Sequence, residues 1–177
     1  SVLNRILTTL SEQYVLVLGI YYKLQTFIYL TANGMIQGIR PIISFNYGAG
    51  EMKRVEHIFR TSLYLIMGIM LAGTILSWIF PQQIFSLFAT EETVIDAGAH
   101  ALRLISPGFV ISAVSVTCSG VLEGLGKGTS SLWISLSRYL LVMLPLAFIM
   151  SRLLDSDGVW YAFALTELIT AVISLFI

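Results

Sequence analysis

Five apolar runs, each about as long as a bilayer is thick or longer, take up nearly all of this chain. They fall at 14–44, 61–80, 101–122, 131–151 and 158–177, with short polar loops between them. An α-helix needs ~20 apolar residues to cross a ~30 Å hydrocarbon core. Inside lipid the backbone must satisfy its own hydrogen bonds, so runs of this length are helices. Membrane β-strands are about half as long and alternate polar with apolar residues. The reading is an all-α, polytopic transmembrane helix bundle. Composition agrees, with 56% hydrophobic and 11% charged residues, against ~25% charged in a soluble domain.

The chain reads as a piece of a longer protein. It starts at Ser1 and stops inside an apolar run, and residues 1–9 (SVLNRILTT) look like the tail of an earlier helix. The lone Cys118 sits deep in the third run, where a small packing role is expected. The formal net charge is +0, so no bulk attraction to nucleic acid arises. Phosphate loops, histidine-rich metal clusters and GxSxG are absent from the sequence.

The loops orient the bundle. Segments 45–60 and 124–130 carry Lys53, Arg54, Arg60 and Lys127. On the other face, 81–100 has no Lys or Arg but holds Glu91, Glu92 and Asp96, and 152–157 holds Arg152, Asp155 and Asp157. The positive-inside rule makes the first face cytoplasmic. Segment 81–97 reads either as a short interfacial helix or as an extension of the next span beginning near Glu92.

The end of the first run carries the sharpest pattern. Gly34 and Gly38 offer a small-xxx-small face for close helix approach. Pro41 lacks an N–H and is expected to kink or break the helix. Gly48 and Gly50 supply a tight turn before the basic pair Lys53 and Arg54.

At this point the sequence resembles the multidrug and toxic compound extrusion (MATE) transporters. QGIRPIISFNYGAGEMKRV at 37–55 looks like a helix junction of that family's repeat. PQQIFSLF at 81–88 with LRLISPG at 102–108 is similar to its outer loop and fourth helix. SGVLEGLGKG at 119–128 is similar to its glycine-rich turn, with Glu123 where the family usually has Gln. The resemblance implies one lobe of a twelve-helix transporter, here the C-terminal one without most of its first helix. It implies a multi-pass protein of the plasma membrane, with the N-terminal lobe and the lipid bilayer as partners. The activity implied is export of cationic or amphipathic small molecules by alternating access, in exchange for Na⁺ or H⁺ and with no cofactor.

Ionisable residues inside the runs mark candidate sites, because each is costly there. Arg103 and Arg138 lie near span ends and can snorkel. Lys23 and Glu167 each sit nine positions from the outer start of their spans, ~14 Å down. They can pair with each other, line a wet cavity, or find separate partners. Gln25, Asn33 and Gln37 follow Lys23, with Tyr21, Tyr22, Phe27 and Tyr29 around them. Aromatic walls with few charges suit an amphipathic cation, and the same aromatics also suit plain packing. The candidate transport cavity is therefore Lys23, Gln25, Asn33, Gln37 and Glu167. Gly34, Gly38 and Pro41 form the candidate hinge.

Three rival readings stand beside export, of which a plain scaffold or receptor has no need of Lys23 and Glu167 at mid-depth. A related flippase of lipid-linked saccharides would have a wide cavity with several arginines. An enzyme would need a converging catalytic set, but His57 and His100 lie near loops on opposite faces.

Overall fold

The computed structural model describes residues 12–176, with 155 and 156 described by their backbone alone. The expected tail at 1–9 lies outside the described residues, as do Ile177 and the Asp155 side chain. The elements are α1 (Glu12–Gly48), α2 (Met52–Ile79), α3 (Pro81–Ser86), α4 (Glu92–Ile105), α5 (Pro107–Gly124), α6 (Gly128–Leu136), a π-helical segment (Ser137–Met143) and α7 (Leu144–Phe176).

Five stretches among the described residues are long and apolar enough to span a membrane: Glu12–Gly48, Met52–Ile79, Pro107–Gly124, Gly128–Leu154 and Asp157–Phe176. The last two share α7. The chain turns back between them, because a Cβ at Gly158 would collide with the Met150 carbonyl. Eight residues along a straight helix would separate the two by about 12 Å.

The basic end is built from two glycine caps. The Glu51 N–H bonds the Asn46 carbonyl at 2.9 Å and the Gly50 N–H bonds Tyr47 at 3.0 Å. The Lys127 N–H bonds Leu122 at 2.8 Å and the Gly126 N–H bonds Glu123 at 3.1 Å. Both are Schellman closures with glycine in the left-handed region, φ 76° in each case. The hydroxyl of Ser44 donates to the Gly124 carbonyl at 2.5 Å, so the two turns lie at one end of the bundle.

At the acidic end both readings of 81–97 are realised in part. α3 is a six-residue helix, and α4 starts at Glu92. The Phe85 ring is fully buried in the space that a Cβ at Gly98 would need, which fixes α3 on α4. The third run breaks at Ser106 and Pro107, where proline cannot donate to the preceding turn. The Thr74 hydroxyl donates to the Ser106 carbonyl at 2.9 Å and ties that break to α2.

The core runs between α1, α5 and α7. Tyr21 is 2% exposed, stacks on Phe109 at 6.3 Å between centroids and meets Phe163 edge-on at 5.1 Å. Helices approach closely at glycine: Gly120 and Gly124 of α5 pack against Ile36 and Ile43 of α1, and Gly108 packs against Ala164 and Glu167 of α7. Cys118 is buried and free, as its packing role requires.

Candidate functional site

A cavity of ≈ 440 Å³ opens between α1, α5 and the fourth span. Three polar stripes at helical spacing form its walls. α1 contributes Tyr22, Gln25, Thr26, Tyr29, Asn33 and Arg40. α5 contributes Ser115, Ser119 and Glu123, and the fourth span contributes Ser131, Ser135, Arg138 and Tyr139. Leu30, Ile36, Val116 and Ile134 fill the gaps between them.

Two ion pairs bracket this space. Toward the basic end, Arg40 pairs with Glu123, whose other carboxylate oxygen accepts the Ser131 hydroxyl at 2.7 Å. That pair joins α1 to α5 and α6. Farther along, the Arg138 guanidinium donates to the Ser115 hydroxyl and stands 3.2 Å from Glu167. The Arg138 and Glu167 side chains are each only 13% exposed. A buried charge is tolerated when a partner of opposite sign compensates it. Close by, the Tyr29 hydroxyl donates to Ser112 at 2.6 Å and fixes one wall.

Arg138 lies in the π-helical segment. A π turn carries more residues than an α turn, so successive side chains diverge less. Arg138 and Tyr139 therefore reach the same cavity.

The sequence-derived candidates divide. Gln25 and Asn33 line the cavity. Glu167 stands behind Arg138 rather than on the wall. Lys23 and Gln37 belong to a neighbouring stripe of α1 with Phe27, Gly34 and Pro41, all exposed on the surface of this bundle. Lys23 is thus not the partner of Glu167, because α1 turns it about 100° away from the wall that Tyr22 faces. Arg138 does not snorkel but points inward to fill that role. Apart from the neighbouring backbone of α1 itself, no atom of the described chain comes within 4 Å of a Cβ built at Gly34 or Gly38. The close approach expected of them is made by Gly120 and Gly124 instead. Pro41 sits inside α1, which continues through it to Gly48 without a break.

The missed residue, Arg138, did have a signal. Ser131, Ser135 and Arg138 fall at i, i+4 and i+7 on the fourth span, as Ser112, Ser115 and Ser119 do at i, i+3 and i+7 on α5. Among the described residues no group of three or more His, Cys, Asp or Glu converges to hold a metal ion.

The sequence profile of the MatE family matches residues 2–149. The chain belongs to the MatE family. It is 20% identical over 159 residues to the multidrug export protein MepA of Staphylococcus saprophyticus, an alignment covering 90% of this chain and 35% of MepA. With MepA of Staphylococcus haemolyticus it shares 21% identity over 178 residues, covering 99% of this chain and 38% of the relative. A crystal structure of a MATE protein in its straight conformation superposes with a TM-score of 0.93 at 21% identity, covering 99% of this chain and 40% of that one. This MatE chain thus spans little more than a third of the curated relatives it matches. The family's fold and the five spans make it a multi-pass membrane protein. The relatives are named as exporters rather than enzymes. Within MatE, the acidic Glu123 is accounted for here by the charge of Arg40 beside it.

Proposed function

We propose that this chain is one lobe of a secondary active exporter of the plasma membrane. The observation that carries the reading is the polar, aromatic-edged cavity of ≈ 440 Å³ in the wall of a bundle with the MATE fold. A concave site with a few convergent polar groups is what small-molecule recognition needs. The substrates are cationic or amphipathic small molecules, moved by alternating access with the other lobe in exchange for Na⁺ or H⁺. Coupling needs the ion and the substrate to favour different conformations. The cost of leaving Arg138 and Glu167 unpaired inside the bundle gives this lobe one means of distinguishing them.

The test uses the full-length protein in inside-out membrane vesicles, with a fluorescent amphipathic dye in the surrounding medium. An imposed H⁺ or Na⁺ gradient is expected to drive dye uptake, and separate arms identify the ion. Absence of gradient-driven uptake with either ion, by well-inserted protein, overturns the reading. The flippase alternative predicts movement of a lipid-linked saccharide instead. Both arginines at the cavity being paired with carboxylates weighs against it.

A further inference from the structure

We propose that Tyr22 and Tyr139 are specificity-determining residues of this cavity, whose ring faces hold the positive charge of a flat aromatic substrate. The inference rests on the transport reading above and names the groups that read the substrate's charge at that same site.

A cation in the cavity finds no free carboxylate among the described residues. Glu123 is on the wall, but Arg40 and Ser131 already engage its oxygens. Glu167 stands off the wall and is paired with Arg138. Both arginines are thus matched by carboxylates, and neither carboxylate is left over for a ligand. An aromatic ring face attracts a cation without bearing a charge of its own.

Two tyrosines present such faces, one from α1 and one from the fourth span. Tyr22 leans on the core, with its ring 5.8 Å from that of Tyr21 and 6.4 Å from that of Phe163. It lines the cavity and remains 40% exposed. Tyr139 lies on the π-helical segment, lines the same cavity and is 61% exposed. Its hydroxyl accepts a hydrogen bond from the Arg138 guanidinium. The ring is therefore held at its tip and open at its faces. The π turn narrows the angle between the two side chains, so the holding group and the held ring reach the cavity together. Arg138 is thereby a positioning residue and touches no ligand. Tyr22 and Tyr139 lie within electrostatic reach of each other, so one flat molecule can meet both rings. Tyr29 differs from them: its ring packs on Phe109 at 6.2 Å and its hydroxyl on Ser112, so it builds the wall.

A matched probe pair isolates the charge. N-Methylacridinium is a permanent cation, and acridine in mildly alkaline buffer is a neutral molecule of nearly the same shape. The full-length protein in detergent is expected to bind the cation at least about ten-fold more tightly. Tyr22→Leu and Tyr139→Leu keep apolar bulk and lose the ring face. Each is expected to cut that preference about three-fold or more. Tyr139→Phe keeps the ring and is expected to retain most of it. Tyr139→Trp offers the strongest ring face and is expected to raise it, a gain that damage to the fold would not produce. Equal binding of the two probes by the wild type overturns the inference, as does an undiminished preference in folded Tyr22→Leu and Tyr139→Leu. A loss in Tyr139→Phe as large as in Tyr139→Leu assigns the effect to the hydroxyl and overturns it too. In each case, gradient-driven uptake of an amphipathic dye by the wild type leaves the transport reading standing. Absence of uptake of the dye and of both probes removes the two together.

Discussion

Ile36 of α1 fills the space that any side chain at Gly120 of α5 would need. Ile36 is 2% exposed and is held between the two helices. The contact sets the distance between the two helices that form the cavity's long walls.

Gly120→Ala is therefore expected to destabilise the lobe by about 1–3 kcal/mol, the usual cost of forcing extra atoms into a packed site. Gly34→Ala, where nothing lies within 4 Å, is expected to leave the stability of this lobe unchanged. Thermal melts of the two variants in detergent check the contrast. Equal melting temperatures would show that α1 and α5 do not meet closely at Gly120.

Glu123→Gln is a milder change. The pair with Arg40 is 41% and 33% exposed, so solvent screens it, and its loss costs under about 1 kcal/mol. Glutamine keeps a carbonyl oxygen for Ser131 and Arg40, so dye efflux is expected to survive. Glu123→Leu removes both acceptors and leaves Arg40, whose Nε is already buried without a partner, uncompensated. Efflux and expression are both expected to fall in that variant. Equal behaviour of the two substitutions would mean that Glu123 joins no helices.

How much the sequence revealed follows from what each signal measures. Run length is a one-dimensional quantity, and it located the five spans because lipid imposes length. Gly50 was legible as a turn because few other residues adopt its positive φ. The α4–α5 break at Pro107 went unread, because the apolar run continues through it. Depth could be counted from the span ends, but direction around the helix could not. Lys23 and Glu167 share a depth, yet Lys23 faces outward from the bundle. Arg138 was read by its distance from the membrane surface alone, and the π turn that places it carries no proline or glycine to announce it.

Topology rests on loop charge and can be read directly. Single cysteines at Lys53 and Glu91, in a Cys118→Ser background of the full-length protein, are expected to react differently with an impermeant thiol reagent on intact cells. Position 91 should label and position 53 should not, because basic loops stay in the cytoplasm. The two positions lie at opposite ends of α2 and the segment after it, so they cannot share a face. Labelling at 53 alone would invert the bundle.

The deepest charge pair gives the strongest stability prediction. Arg138 and Glu167 are 3.2 Å apart and each 13% exposed, so water screens them little. Removing one leaves the other uncompensated, at a cost of about 3–5 kcal/mol. Arg138→Gln and Glu167→Gln are each expected to lower the melting temperature in detergent. The double variant should recover most of the loss, because two neutral amides need no counter-charge. A double-mutant cycle isolates this coupling, and contacting residues give about 0.5–3 kcal/mol of it. Lys23 supplies the control. Its side chain is exposed on another stripe of α1, so Lys23→Met should shift stability by less than about 0.5 kcal/mol and add to Glu167→Gln without coupling. Coupling between Lys23 and Glu167, with none between Arg138 and Glu167, would mean that α1 and the fourth span exchange roles around the buried carboxylate.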